Sequence, residues 1–251
     1  MDAAAVRSAA AANLAAWHDA STRALGWRPA TTRGWWLCAT PAPNIYHSAV
    51  SLQPARGRRD RDRLRAELRA HLDDPDSVHV SVCDAWDELD LGLLGLTCRA
   101  TSVWSARPPG PTSAPPSTGI TIERVGTTGA LAAFEETVVR GFGARPPIAP
   151  FDIHGTAILD DPSMHVFLGR TADAADPVAV SMAYVTSEVV GIYGVATVPD
   201  ARGHGHATAM TLAALAVAPD RPAILQPSPA AYPLYRRLGF TDLGAYSHWT
   251  R

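Results

Sequence analysis

The residues Arg202-Gly203-His204-Gly205-His206-Ala207-Thr208 carry the densest chemistry in this sequence. They follow a β-branched run ending in Val198-Pro199-Asp200 and lead into a stretch of small residues reading as a helix over about 203–217. The start of a helix leaves its first N–H groups unpaired and carries partial positive charge, so it attracts anions. Gly203 and Gly205 remove side chains where an anion must approach the backbone. Ala207 and Thr208 keep the first turn small, and Arg202 can add a charge-assisted contact. A pyrophosphate is the ligand such a loop suits best; the alternative is a glycine-rich turn that only links a strand to a helix and holds no ligand.

Two other phosphate motifs are excluded. In a dinucleotide fingerprint beginning at Gly203, the third glycine would fall at Thr208, and the only acidic residue near the expected downstream position, Asp220, sits among prolines. A P-loop needs Gly-Lys-Ser/Thr, and this chain contains no Lys at all: its 22 basic residues are all Arg.

Around the loop, residues 119–251 alternate strands and helices. Ile120, Ile122 and Val125 mark a short strand, and Leu131, Phe134, Val138 and Phe142 recur at helical spacing over 128–142, with Thr128 as the expected cap. A looser segment follows, then three strands separated by turn residues, the glycine loop with its helix, a short strand at AILQ, a short helix at AAYPLYRRL and one or two closing strands. The order predicts an α/β fold: a mixed sheet with helices on both faces. RPPGPTSAPPSTG at 107–119 reads as a semi-stiff linker. It separates a first domain, 1–106, from a second, 119–251, with 107–118 as the linker. The first part predicts a helix over 3–25, a hairpin from GWWLCAT and YHSAVSL, an amphipathic helix at RDRLRAELRAHL, then strands. Asn44-Ile45-Tyr46-His47 in that hairpin loop forms a polar and aromatic cluster that could reach over the second domain or be only a turn.

Arg202-Gly203-His204-Gly205-His206-Ala207 resembles the Arg/Gln-x-x-Gly-x-Gly/Ala signature of the GNAT superfamily of N-acetyltransferases, and it does so between a strand and a helix. Downstream, LQPSPAAYPLYRRLGF is similar to the second GNAT signature, with Tyr235 four residues ahead of Gly239-Phe240. The resemblance covers 119–251 and implies a mixed, mostly antiparallel GNAT sheet, preceded here by a smaller, degenerate GNAT-like α/β half lacking the loop. It implies acetyl-CoA as co-substrate, with the amides of Arg202, Gly203, His204, Gly205, His206, Ala207 and Thr208 around its pyrophosphate. The strand end at Ala196, Thr197 and Val198 would pair with the pantetheine arm, having splayed from the next strand at 222–226. The reaction implied is direct attack of an amine on the thioester in a ternary complex. A backbone N–H near Val198 would polarise the carbonyl, and Tyr235 would protonate the departing thiolate. Ser228 would position the thiol or a water, or be simply a turn residue. Glu188 is the candidate base by its strand, though its Thr186-Ser187 context also reads as a solvated turn. Glu135 and Glu136 lie on the helix whose far end usually borders the acceptor pocket. His204 and His206 read as exposed or phosphate-facing, and Tyr193, Tyr232 and Trp249 as pocket or core.

Composition bounds the partners. A net charge of −2 gives no basic footprint, which argues against nucleic acid. No run reaches the roughly 18 apolar residues of a membrane span. Cys38, Cys83 and Cys98 are scattered, so buried reduced thiols, no metal and a cytoplasmic setting are expected. The acceptor expected is a small-molecule amine. A protein N-terminus or lysine, or a CoA-binding sensor without turnover, are the rival readings, and a homodimer stays open.

Overall fold

The computed structural model describes residues 1–39, 45–112, 119–143 and 149–251. In chain order its elements are α1 (Ala3–Ala24), β1 (Ala30–Thr31), β2 (Trp35–Leu37), β3 (Ala49–Ser51), α2 (Arg58–Leu72), β4 (Ser81–Asp84), β5 (Thr97–Arg107), β6 (Ile120–Arg124), α3 (Thr128–Gly141), β7 (Met164–Thr171), β8 (Ala179–Val185), β9 (Val190–Thr197), α4 (His206–Leu215), β10 (Ala223–Leu225), α5 (Tyr232–Arg237) and β11 (Thr241–Thr250). Contacts divide the chain into two compact units, one of 1–106 with 226–251 and the other of 107–225. The sequence reading kept 226–251 with the second part. The difference lies in β11, which runs antiparallel to both β4 and β5 and so packs with the first unit. The last residues of the proline-rich stretch, 113–118, lie outside the described residues.

In the first unit the strands run β1-β2-β3-β4-β11-β5, antiparallel except for β3 and β4. Asp2 caps α1 by accepting the Ala5 N–H at 2.8 Å. On α2, Leu64, Leu68 and Leu72 are buried at intervals of four, while Arg63 and Glu67 pair on its outer side. Those leucines join Trp35, Val82 and Leu91 in one core. Tyr46 is fully buried, so it is core and not a reaching side chain, and its neighbour Asn44 lies outside the described residues. Cys38 and Cys83 are buried as expected, but Cys98 is exposed on β5, where the strand's outer half faces solvent.

The second unit holds β10-β9-β8-β7-β6, antiparallel apart from the parallel β10–β9 pair. Every residue of β8 from Ala179 to Tyr184 is buried, and α3 and α4 both pack on this strand. Thr127, one residue before the expected cap, starts α3 by accepting the Ala130 N–H at 3.2 Å. Phe142 falls just past the last turn and is exposed, so it leaves the apolar stripe made by Leu131, Phe134 and Val138. α4 begins at His206, three residues later than expected, because Gly203 and Gly205 both take left-handed backbone.

Candidate cofactor site

The site begins with the edge of β9. This strand pairs with β8 along its length, yet it meets β10 only at Val190↔Ala223 and Gly191↔Ile224. No register pair between β9 and β10 continues past Gly191 among the described residues. A register shift opposite Ser181 marks a bulge in β9, and Gly194 within it has a φ of 58°. A bulge bends its strand and increases the local twist. The pairing of β9 with β10 thus ends before the bulge among the described residues.

Hydrogen-bond alternation then decides which backbone groups of β9 point away from β8. The Val198 N–H donates to the Val178 carbonyl at 2.9 Å, toward β8. The carbonyl polarisation expected near Val198 is unavailable to that amide because it is already bonded. Ala196, two residues back, shares its direction, and Thr197 between them turns its N–H and C=O to the open edge. Arg202 confirms the direction, since its Nε donates to the Thr197 carbonyl at 3.1 Å. Its Nη2 donates to the Gly141 carbonyl at 2.8 Å. That carbonyl is at the C-terminal end of α3, where helix carbonyls lack partners and attract cations. Arg202 thus ties α3 to β9 instead of reaching for a phosphate as expected. The tie needs close approach: a Cβ on Gly141 would lie 2.7 Å from that of Ala196.

The loop follows directly. Pro199–Ala201 forms one 3-10 turn, with Ala201 N–H bonded to Val198 O and Arg202 N–H to Pro199 O. Gly205 stands at the helix start with φ 80° and offers no side-chain cap. The first helical bond runs from Ala209 N–H to Gly205 O, so the amides of His206, Ala207 and Thr208 have no partner within the helix. A Cβ on Gly203 would meet nothing within 4 Å, so its approach is open, and its φ of 84° explains the glycine. Among the described residues, two buried polar atoms here have no hydrogen-bond partner, Thr197 Oγ1 and His206 Nδ1. Buried polar groups are normally satisfied, and unmet ones beside an uncapped helix start are the pattern that an oxygen-rich ligand completes. These residues fit the diphosphate and arm of a CoA ester. His204 is exposed, whereas His206 is buried.

The candidate catalytic residues are distributed as follows. Glu188 is exposed in the bend before β9, at the opposite end of that strand from the loop. Nine strand steps of about 3.3 Å separate it from Thr197, which puts it out of proton-transfer reach of that end. Ser228 and Tyr235 belong to the other unit. The Ser228 hydroxyl accepts the Ala231 N–H at 3.3 Å and its carbonyl accepts from Ala231 and Tyr232, so it builds the turn into α5. Tyr235 is buried on α5, edge-on to Phe240 at 5.8 Å. Tyr193 is buried, Tyr232 donates to Asp242, and Trp249 packs against the first unit's core. On α3, Glu136 faces solvent while Glu135 is buried. Its carboxylate accepts N–H groups from Phe151 at 2.5 Å, Ile153 at 3.0 Å and His154 at 2.6 Å. Burial alone would raise the carboxyl's pKa, but the hydrogen bonds from His154 and Phe151 outweigh it and lower it below the ordinary value. Sequence reasoning missed this role, as nothing nearby in sequence marks a carboxylate that anchors a loop sixteen residues away.

The first unit contains a second crossing of the same kind, from β3 through α2 to a parallel β4, with Gly57 at the helix start and a φ of 99°. Two of the amides ahead of its helix are occupied. Ala55 N–H donates to Glu88 at 2.6 Å, and Arg56 N–H to Asp60 at 3.1 Å. Carboxylates of the chain itself bond these two amides.

Residues 131–240 match the family model for the acetyltransferase (GNAT) family. No curated protein matches the sequence significantly. Among solved structures, a GCN5-related N-acetyltransferase from Kribbella flavida is 20% identical, with 94% of each chain covered and a TM-score of 0.59. A putative GNAT-family acetyltransferase from Novosphingobium aromaticivorans is 15% identical over 92% of this chain and 95% of that one, with a TM-score of 0.56. A tandem GNAT protein from the clavulanic acid biosynthesis pathway is 13% identical over 86% of this chain and 78% of that one, at 0.52. At these identities the structures establish a shared fold across both units. Residues 131–240 form an acetyltransferase domain of the GNAT family.

Proposed function

We propose that the protein is an acetyl-CoA-dependent N-acetyltransferase acting on a primary amine of a small molecule. The carrying observation is the open edge of β9 at Thr197 running into the uncapped start of α4, with unmet polar atoms at both. When bound, acetyl-CoA supplies an activated thioester and a thiolate leaving group. Thr197 N–H binds the arm as an added strand would, and the amides from Gly203 to Thr208 hold the diphosphate. Arg202 keeps this frame rigid through its two carbonyl contacts. Water reached through the solvent carries the amine proton away, since Glu188 is remote from the loop. The cofactor loop lies in the second unit, and in the first unit carboxylates already bond the amides of Ala55 and Arg56, so one cofactor site per chain is expected.

The remote Glu188 is also the observation that favours a CoA-binding regulator without turnover. Titration calorimetry with acetyl-CoA, followed by thiol release with a panel of small amines and with peptide amines, separates the readings. Binding with amine-dependent thiol release supports the transferase, and peptide-selective release moves the acceptor class to protein amines. Binding with no release under any amine leaves the regulator, and absence of binding sinks both.

A further inference from the structure

His204 and His206 flank the glycine that opens α4, and their rings stack at 5.8 Å with an interplanar angle of 23°. His206 is the first helical residue, 5% exposed, with Nδ1 lacking a partner among the described residues. His204 is exposed, its Nδ1 lying 3.4 Å from the Ala201 carbonyl. We propose that this pair is a proton-coupled anion receptor: binding of the CoA diphosphate draws a proton onto the stacked imidazoles, so cofactor affinity rises as pH falls. The inference rests on the cofactor reading above and goes beyond the backbone amides that the loop supplies.

Before binding, three influences oppose protonation: burial of His206, the neighbouring His204 and the positive end of α4. Burial, then His204, hold the His206 pKa below its ordinary value, and Asp173 in the turn after β7 acts the other way. Asp200 in the preceding 3-10 turn is exposed, and the Arg202 guanidinium is committed to the Thr197 and Gly141 carbonyls. An arriving diphosphate reverses the balance, because two phosphoryl charges at the helix start favour the imidazolium. The nitrogen that lacks a partner then gains one. The proton comes from solvent and no covalent bond changes.

The test is calorimetry on the full chain with 3′-dephospho-CoA as the probe, in two buffers of different ionisation enthalpy. The 3′-phosphate is removed because a phosphomonoester itself titrates near pH 6 and would mix its own proton into the count. Uptake of up to one proton at pH 6.5 and affinity rising by up to about tenfold per pH unit are expected. Pantetheine, which has no phosphate, should bind without buffer dependence, and His204→Gln with His206→Gln should abolish the uptake. Binding with identical heats in both buffers would overturn the proposal while leaving the cofactor site intact. Uptake that persists in the double variant would place the proton elsewhere and also overturn it. If neither CoA nor dephospho-CoA binds, the cofactor reading itself has failed, and this inference with it.

Discussion

Replacing Glu135 by Gln removes one charge from a buried position and keeps the side-chain volume. In the native protein, Oε1 accepts from the Ile153 and His154 amides and Oε2 from the Phe151 amide, all within 3.0 Å. Gln retains one carbonyl oxygen, so two of these bonds survive without charge assistance. The third becomes an N–H facing an N–H. Losing charge assistance costs about 1 kcal/mol over the two surviving bonds, and one unsatisfied buried donor costs roughly 1–3 kcal/mol more. The expected loss is about 3 kcal/mol, read as a shift in guanidinium midpoint at constant slope. A pH series gives a second signature. The folded carboxyl titrates below its unfolded value, so its contribution is complete above the unfolded pKa and is lost as pH falls through the folded one. The native protein should therefore lose stability at acid pH by one proton more than Glu135→Gln does. A midpoint within error of the native one, or parallel acid limbs, would refute the assignment of Glu135 as the anchor of 151–154.

Other predictions follow from the same geometry. Gly205→Glu puts bulk and negative charge at the helix start, on a backbone with positive φ, and should abolish CoA binding in calorimetry while thermal unfolding stays cooperative. Gly141→Ala forces its Cβ against Ala196 and should destabilise by about 1–3 kcal/mol on denaturant unfolding, with the arm-binding edge of β9 displaced. Calorimetric stoichiometry for CoA should be one per chain; two would show that Glu88 and Asp60 yield the first unit's loop to ligand. In the first unit, burial and the nearby His248 push His47 down to about 3, and burial with His47 also lowers His18. Both bind protons more readily when unfolded, so their stabilisation is complete above about pH 6.5 and is lost as pH falls toward 3. Acid unfolding should therefore take up about two protons more than a His18→Gln, His47→Gln variant does.

The loop could be read from sequence because its information is local. Glycines at 203 and 205, small residues behind them and a strand ahead set backbone conformation within about ten residues, and a helix start has the same electrostatics wherever it occurs. The strand and helix order of 119–251 was legible for the same reason, through periodicities of two and 3.6. Hydrogen-bond direction was not. Whether Thr197 or Val198 faces the ligand depends on which neighbour accepts the Val198 N–H, and a bulge at Gly194 shifts that register without changing the hydrophobic pattern. Arg202 shows the same limit: its charge suggested a phosphate, but the nearness of Gly141, sixty-one residues earlier, gave it two carbonyls instead. Glu135, the exposure of Cys98 and the pairing of β11 with β4 and β5 are likewise long-range outcomes. The sequence alone determined the anion-seeking loop and the kind of fold that presents it. Tertiary structure decided which backbone groups remain free to meet a ligand, because that depends on which distant groups have already taken the others.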